Sequence, residues 1–170
     1  MNKQQLLARR EYFDMVHGVT IRAIGAFNDA ELDFRPQPPM RTPRALIFHI
    51  YSQEKVLAEA AQRGQFTMEA ASLSNPEDPA AAPVLKALVT VADLQAYADA
   101  CHQAAGRIFE AMSEDEIARS VESPIGNYPA WAYFNFAYDE HWHHRGQLYT
   151  YLRLLGKEPT MLYDYQPGEA

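Results

Sequence analysis

Four long stretches of this chain carry apolar residues at three- and four-residue intervals, and this periodicity constrains the fold more than any other feature. The stretches cover residues 1–28, 43–63, 91–112 and 129–155. Such spacing places apolar side chains along one stripe of an α-helix, and no segment shows the sustained alternation typical of a β-strand. Four amphipathic helices with a long crossover between the second and the third predict an all-α four-helix bundle.

Helix-breaking and helix-starting residues separate these stretches. The segment "NDAELDFRPQPPMRTPR" contains four prolines and predicts a loop after the first helix. Thr42 before Pro43 is a strong start for the second helix, because threonine caps free amides and proline at the first helical position loses no hydrogen bond. Thr90 with Asp93 resembles a capping box that starts the third helix. The crossover, residues 65–89, is predicted to hold a short helical piece in "FTMEAASL" and a loop in "SNPEDPAAAP".

Length and composition limit the kind of protein. We expect a single domain over residues 1–170. A formal net charge of −7 without a run of lysine or arginine disfavours nucleic acid as a partner. No apolar run approaches the roughly 20 residues that a membrane-spanning helix needs, and the polar start of the chain lacks the features of a secretory signal. The single cysteine, Cys101, cannot form an internal disulfide, and we expect a cytoplasmic location.

The segment "DEHWHHRGQLYTYLRLLG" places three of the six histidines within four residues, beside two acidic residues. Glu140 and His144 are four residues apart, so their side chains lie on one helix face, one turn from each other. The rest of that face suits a bundle core, where an unpaired carboxylate is costly unless a cation compensates it. A divalent metal ion would compensate Glu140, and His49 on the inner stripe of the second helix would supply a third ligand.

Two imidazoles and one carboxylate leave open coordination positions for water or substrate, as catalytic metal sites do. Zinc and nickel are the metals that we expect first, followed by manganese and iron. A di-iron carboxylate centre is disfavoured, because Glu140 and His143 form the only Glu-x-x-His pair and the second helix offers no mate. No catalytic residue can be identified from the sequence.

The other histidines are weaker ligand candidates. His143 points about 100 degrees away from His144 on the helix and should face out of the core or toward a neighbouring helix. His141 lies roughly 60 degrees off in the other direction and is the substitute for Glu140 as a ligand. Two further histidines have no partner visible in the sequence and are interpreted as surface or hydrogen-bonded core residues: His17 and His102. From these residues alone, the alternative that the histidine cluster is only the polar surface of a helix, without a metal, remains open.

The block "HHRGQLYTYLRLLGKEP" resembles the last helix of the DinB-like superfamily of bacterial four-helix bundles. That family typically has two histidines four residues apart, then Arg-Gly-Gln, an apolar run with Tyr-Leu-Arg, and Gly-x-x-Pro. The matching positions here are His144, Arg145, Gly146, Gln147, Tyr151, Leu152, Arg153, Gly156 and Pro159. A second block, "RTPRALIFHIYSQEKVLAEA", places His49 at the position of the family's ligand on helix two. With the order of helices, the resemblance covers essentially the whole chain.

The resemblance implies a metal held by His49, residue 140 and His144, although residue 140 is glutamate here and histidine in the family. Characterised relatives are metal-dependent enzymes that use low-molecular-weight thiols such as bacillithiol or mycothiol, as S-transferases or as a maleylpyruvate isomerase. The resemblance therefore implies a thiol-dependent S-transferase, or a related hydrolase, with a small-molecule substrate. The metal would act as a Lewis acid on a thiol or a substrate carbonyl.

The remaining expectations concern assembly and the alternative function. Gly146 in mid-helix costs about 1 kcal/mol relative to alanine, which indicates a close backbone approach there, and we expect a homodimer. Arg145, His143 and Gln147 lie off the central stripe and are expected either to support the ligands or to form a helix–helix contact. The alternative function is a non-catalytic, metal-free bundle with a ligand-binding or stress-related role, in which Glu140 and the histidines form a polar network.

Overall fold

The computed structural model describes residues 1–165 and confirms the all-α four-helix bundle. Its long helices are α1 (Lys3–Gly25), α2 (Pro43–Arg63), α5 (Val91–Ala111) and α7 (Ala130–Leu154). Its shorter elements are a 3₁₀ helix (Asp29–Asp33), α3 (Met68–Ser72), α4 (Ala82–Ala87), α6 (Glu114–Ala118) and an antiparallel pair of two-residue strands, β1 (Ser120–Val121) and β2 (Tyr128–Pro129).

The helix boundaries follow the predicted start and stop residues closely. Thr42 accepts the amide N–H of Ala45 with its hydroxyl, and α2 ends at Gly64, whose φ of 78° lies in the left-handed region that favours glycine. The predicted capping box is present, because Thr90 and Asp93 each accept a backbone N–H from the other. Local sequence therefore sets where α2 and α5 begin.

Helix α2 is the central element of the bundle, since it packs along both α5 and α7, while α1 packs against α5 and α7 from the other side. Its buried face runs almost its whole length, with Leu46, Ile50 and Leu57 at 4% exposure or less. Across residues 1–165, no helix is long and apolar enough to cross a membrane. The long contact between α2 and α7 is the feature that positions the site described below.

The crossover between α2 and α5 folds back onto α2. As predicted, "FTMEAASL" contains a short helix, α3, and a second short helix, α4, forms where the sequence predicts only loop and weak structure. Buried residues hold the crossover down, among them Ala81 and Ser74, each 1% exposed. The side chain of Arg41, two residues before α2, binds the same segment through two hydrogen bonds to the Glu77 carboxylate, at 2.9 and 2.8 Å.

Candidate metal centre

His49, Glu140 and His144 lie together in the groove between α2 and α7. One ligand atom from each of the three lies within 4.8 Å of the others, and no other group of three or more His, Cys, Asp or Glu residues in residues 1–165 meets this condition. The Oε2 atom of Glu140 is 3.2 Å from His144 Nε2 and 3.7 Å from His49 Nε2. The structure thus brings together the three residues that the sequence singles out, from positions far apart in the chain.

The outer nitrogen of each imidazole is hydrogen-bonded away from the cluster. His49 Nδ1 lies 2.7 Å from the backbone carbonyl oxygen of Ser74, which only accepts, so this nitrogen carries the proton. His144 Nδ1 lies 2.7 Å from the side-chain oxygen of Gln147 and donates to it in the same way. Both bonds fix the ring orientation and leave the Nε2 atoms of the two histidines facing Glu140.

The two Nε2 atoms and the Glu140 carboxylate are all electron-pair donors, and their close approach requires a positive charge among them. The neighbouring imidazoles, His144 first and His49 second, hold the pKa of Glu140 well below its ordinary value through hydrogen bonding, so the carboxylate is ionised. Either a proton on one imidazole or a cation bound to both Nε2 atoms supplies the charge. A divalent metal ion typically binds such a set of two imidazole nitrogens and one carboxylate oxygen. Each imidazole here is also oriented by an outer hydrogen bond, as is usual for metal ligands.

The exposure of Glu140 differs from the expectation of a buried carboxylate. Its side chain is 42% exposed, whereas those of His49 and His144 are 14% and 10% exposed. Glu140 shares one face of α7 with His144, but the contact between α2 and α7 leaves Glu140 open to solvent. The cost of burying an unpaired carboxylate therefore does not explain this residue, and the site is accessible from solution at Glu140.

His141 lies outside the cluster, so the geometry does not support it as the substitute for Glu140. Its side chain is fully buried against α1, where Nε2 lies 2.7 Å from the hydroxyl of Thr20. That hydroxyl donates to the Val16 carbonyl oxygen, so His141 Nε2 is the donor. Burial first, and then nearby positive groups, lower the pKa of His141, which is neutral. The 60-degree offset on the helix is enough to send this ring into a different interface.

Several neighbours of the three clustered residues have roles that the sequence predicts only in part. His143 is exposed, as expected. Gln147 supports His144, a contact that its i+3 position makes possible. Arg145 is 1% exposed, stacks over the Trp142 ring at 4.0 Å and donates to the Val16 carbonyl, so it joins α7 to α1. Ser74 could not have been found from the sequence, because it acts through its backbone carbonyl.

A second polar cluster, which the sequence analysis does not anticipate, lies between α1, α2 and α5. His102 has Glu54 Oε1 at 2.7 Å and Asp14 Oδ1 at 2.8 Å, one at each ring nitrogen. His17 has the Tyr51 hydroxyl at 3.0 Å and Asp99 Oδ1 at 2.8 Å. Both histidines are hydrogen-bonded at both nitrogens, which agrees with their interpretation as satisfied core residues. The partners come from other turns and helices, so spacing in the sequence does not reveal them.

Comparison with known proteins agrees with this fold. The family model of the DinB superfamily matches residues 12–148. The crystal structure of the DinB-like protein YjoA from Bacillus subtilis superimposes with a TM-score of 0.70 at 19% identity, covering 91% of this chain and 95% of YjoA. A search of curated proteins gave no match. Because the family match spans most of the chain and the fold agrees with it, the chain belongs to the DinB superfamily.

Proposed function

We propose that this protein binds one divalent metal ion through His49 Nε2, His144 Nε2 and the carboxylate of Glu140. The observation that supports the proposal best is the pair of outer hydrogen bonds, which turn both Nε2 atoms towards the same carboxylate oxygen. Three protein ligands leave coordination positions for water or substrate, as in catalytic rather than structural sites. The exposed side of Glu140 gives those positions a route to solvent.

The donor set guides the choice of metal. Zinc and nickel accept two imidazoles and a carboxylate well and are the first candidates. The carboxylate of Glu140 replaces a neutral histidine of the family pattern, and this harder oxygen ligand also suits manganese and iron. We therefore expect the metal preference of this protein to be broader than that of a site with three histidines.

The reaction that we propose is a thiol-dependent S-transfer, or a related hydrolysis, on a small-molecule substrate. A bound divalent ion supplies a Lewis acid that favours the thiolate form of a thiol or polarises a carbonyl. Within the chain, Glu140 is the proposed ligand on the solvent side, so water and substrate would reach the ion beside it. His49 and His144, both largely buried, hold their positions through Ser74 and Gln147 and shield the inner side of the site from water.

Metal analysis of protein purified without a histidine tag tests the proposal. After reconstitution with zinc, nickel, manganese or iron(II) and desalting, we expect about one ion per chain in the wild type, and a loss in His49→Ala and His144→Ala. His143→Ala is the matched control, since it removes an exposed histidine of the same helix. Substoichiometric metal in the wild type with every ion would contradict the proposal and favour the metal-free polar network. Activity is then measured with a panel of low-molecular-weight thiols and an electrophile.

A further inference from the structure

The crossover reaches the candidate metal centre through a hydrogen bond between Ser74 and His49. The backbone carbonyl oxygen of Ser74 accepts the Nδ1–H of His49 at 2.7 Å, and Ser74 is only 1% exposed. A backbone carbonyl cannot turn independently of its chain, so its position depends on how the surrounding segment is held. The ring orientation of His49 therefore depends on a part of the chain 25 residues further on.

Two sets of contacts hold Ser74 in place. Its hydroxyl lies within hydrogen-bonding distance of the Gln53 side-chain oxygen and of the Ala71 carbonyl, which ties it to α2 and to the end of α3. Three residues further on, Glu77 forms the two-pronged pair with Arg41, whose guanidinium also reaches the Asn75 side chain at 3.5 Å. Residues 71–77, which we call the crossover arm, are thus held at Ser74 by Gln53 of α2, and at Asn75 and Glu77 by Arg41, which lies just before α2.

Arg41, which holds the crossover arm, is also hydrogen-bonded to α7. The backbone carbonyl oxygen of Arg41 accepts the Tyr151 hydroxyl at 2.8 Å, and Tyr151 is 2% exposed. Arg41 therefore contacts the last helix through its backbone and the crossover arm through its side chain. The two helices that carry the ligands and the arm that orients His49 form one connected set of hydrogen bonds.

We propose that the crossover arm is an outer support of the metal centre, and that the Arg41–Glu77 pair positions the Ser74 carbonyl that fixes the tautomer and orientation of His49. This inference rests on the proposed metal binding. A cation on Nε2 withdraws electron density from the ring and makes Nδ1–H a stronger donor, so metal binding tightens the bond to Ser74. By linkage, an arm that is already held in place raises the affinity for the metal by the same factor.

Two consequences follow that do not depend on catalysis. First, binding of zinc slows amide hydrogen exchange in residues 71–77, because the arm gains a stronger bond to α2. Second, loss of the Arg41–Glu77 pair weakens zinc binding by about three- to tenfold, a smaller effect than the 10–100-fold typical of a direct outer partner. Both are measured on the intact chain, by hydrogen-exchange mass spectrometry and by competition with a zinc chelator.

Three variants separate positioning from simple charge. Glu77→Gln breaks the pair, and Asp33→Asn is its matched control, because Asp33 is also an exposed carboxylate paired in two-pronged fashion with an arginine of α2, Arg44, at 3.1 and 3.0 Å. Arg41→Gln removes a positive charge from the neighbourhood of the site. If only charge mattered, Arg41→Gln would bind zinc more tightly than the wild type, whereas the positioning role predicts weaker binding.

The expected result is weaker zinc binding in Glu77→Gln and Arg41→Gln, no change in Asp33→Asn, and zinc-dependent protection of residues 71–77 in the wild type that shrinks in both pair variants. The inference would be overturned if the wild type bound zinc stoichiometrically, all three variants bound it with equal affinity, and zinc gave no added protection. The proposed function would then stand. A wild type that binds no zinc, nickel, manganese or iron(II) would overturn both.

Discussion

His17 and His102 stack face to face between α1 and α5, with their ring centroids 4.0 Å apart and their planes inclined by 15°. His102 faces a carboxylate at each nitrogen, so it must carry both ring protons to donate to Glu54 and Asp14. The positive charge that this places on His102 keeps His17 neutral, with Nδ1 accepting the hydroxyl of Tyr51. The stacked pair therefore holds one positive charge, on His102.

The stacked pair predicts a loss of stability in acid. Burial first, and then the charge of His102, lower the pKa of His17 from 6.5 to about 4. The unfolded chain takes up this proton near pH 6.5, so the free energy of unfolding falls as the pH drops from 6.5 towards 4, by at most about 1.4 kcal/mol per pH unit. Urea unfolding of metal-free protein between pH 4.5 and 7 measures this slope.

His17→Gln is the test variant, because glutamine keeps a donor for Asp99 and an acceptor for Tyr51 and does not titrate. We expect the free energy of unfolding to fall less steeply with pH in the variant. The histidines of the candidate metal centre contribute equally to both proteins, so the difference between the two slopes reports on His17. The acids that contact the pair, Asp99, Glu54 and Asp14, are all kept in the variant. An unchanged slope in His17→Gln would assign the acid sensitivity to other groups.

His102 predicts a loss of stability at alkaline pH. Burial alone would lower its pKa, but the charges and hydrogen bonds of Glu54 and Asp14 outweigh burial and raise the pKa from 6.5 to about 9. The resulting stabilisation is complete below pH 6.5 and is lost as the pH rises through about 9. The urea midpoint should therefore fall between pH 7.5 and 9.5 in the wild type and stay flatter in His102→Gln.

Removal of the charge of His102 should also lower the free energy of unfolding strongly at neutral pH. Glu54 is 3% exposed, and its Oε2 atom has no hydrogen-bond partner in residues 1–165, so it would keep a buried negative charge with no cation in contact. We expect His102→Gln to lower the free energy of unfolding by about 3 kcal/mol. Adding Glu54→Gln should restore most of this loss, since it neutralises the stranded carboxylate. A double variant no more stable than the single one would show that packing, not charge, dominates.

The sequence predicts the helices far better than the polar contacts between them. The helix ends follow from local chemistry, as Thr42, Gly64 and the Thr90–Asp93 box show. The proximity of Glu140 and His144 also follows from local geometry, because one helix carries both. The assignment of His49 needed its place on the inner stripe and the family resemblance.

Contacts that depend on tertiary packing were not predictable. The partners of His17 and His102 come from three helices, and their sequence separations range from 34 to 88 residues. The Ser74 carbonyl has no side-chain signature at all. The exposure of Glu140 depends on how closely α2 and α7 approach on that side, which periodicity does not specify. Helical spacing gives the direction of a side chain but not what covers it.

Gly146 gives a prediction that bears on the expected homodimer. A Cβ atom at this position would meet no atom within 4 Å, so the close backbone approach expected from the sequence does not occur within residues 1–165. Gly146→Ala should raise the free energy of unfolding by about 0.5–1 kcal/mol through helix propensity. Thermal unfolding and light scattering coupled to size exclusion measure stability and mass together.

Gly106→Ala is the matched control, since it is also a mid-helix glycine but its Cβ would lie 2.6 Å from Arg10 Nε. That contact would displace Arg10 from its pairing with Asp14 and Glu110, so we expect no stabilisation. A Gly146→Ala variant that is less stable than the wild type, together with a loss of dimer mass, would instead place Gly146 in an interface between two copies of the chain.

Glu140 and His141 are neighbours in sequence with opposite predicted roles, and paired alanine variants separate them. Glu140→Ala removes a proposed ligand that is 42% exposed, so zinc affinity should fall by at least about tenfold while the free energy of unfolding of metal-free protein changes by less than about 1 kcal/mol. His141→Ala leaves a cavity in the core and removes the hydrogen bond to Thr20, so it should cost about 2–4 kcal/mol with little change in intrinsic zinc affinity.

The two measurements must be made separately, because metal binding itself stabilises the folded state. Urea unfolding with a chelator present gives the stability of each variant, and zinc competition at a temperature where both variants are fully folded gives the affinity. A folded His141→Ala protein that loses zinc while Glu140→Ala retains it would mean that α7 is rotated relative to the arrangement found here. His141 would then face His49, and Glu140 would be an exposed acid without a ligand role.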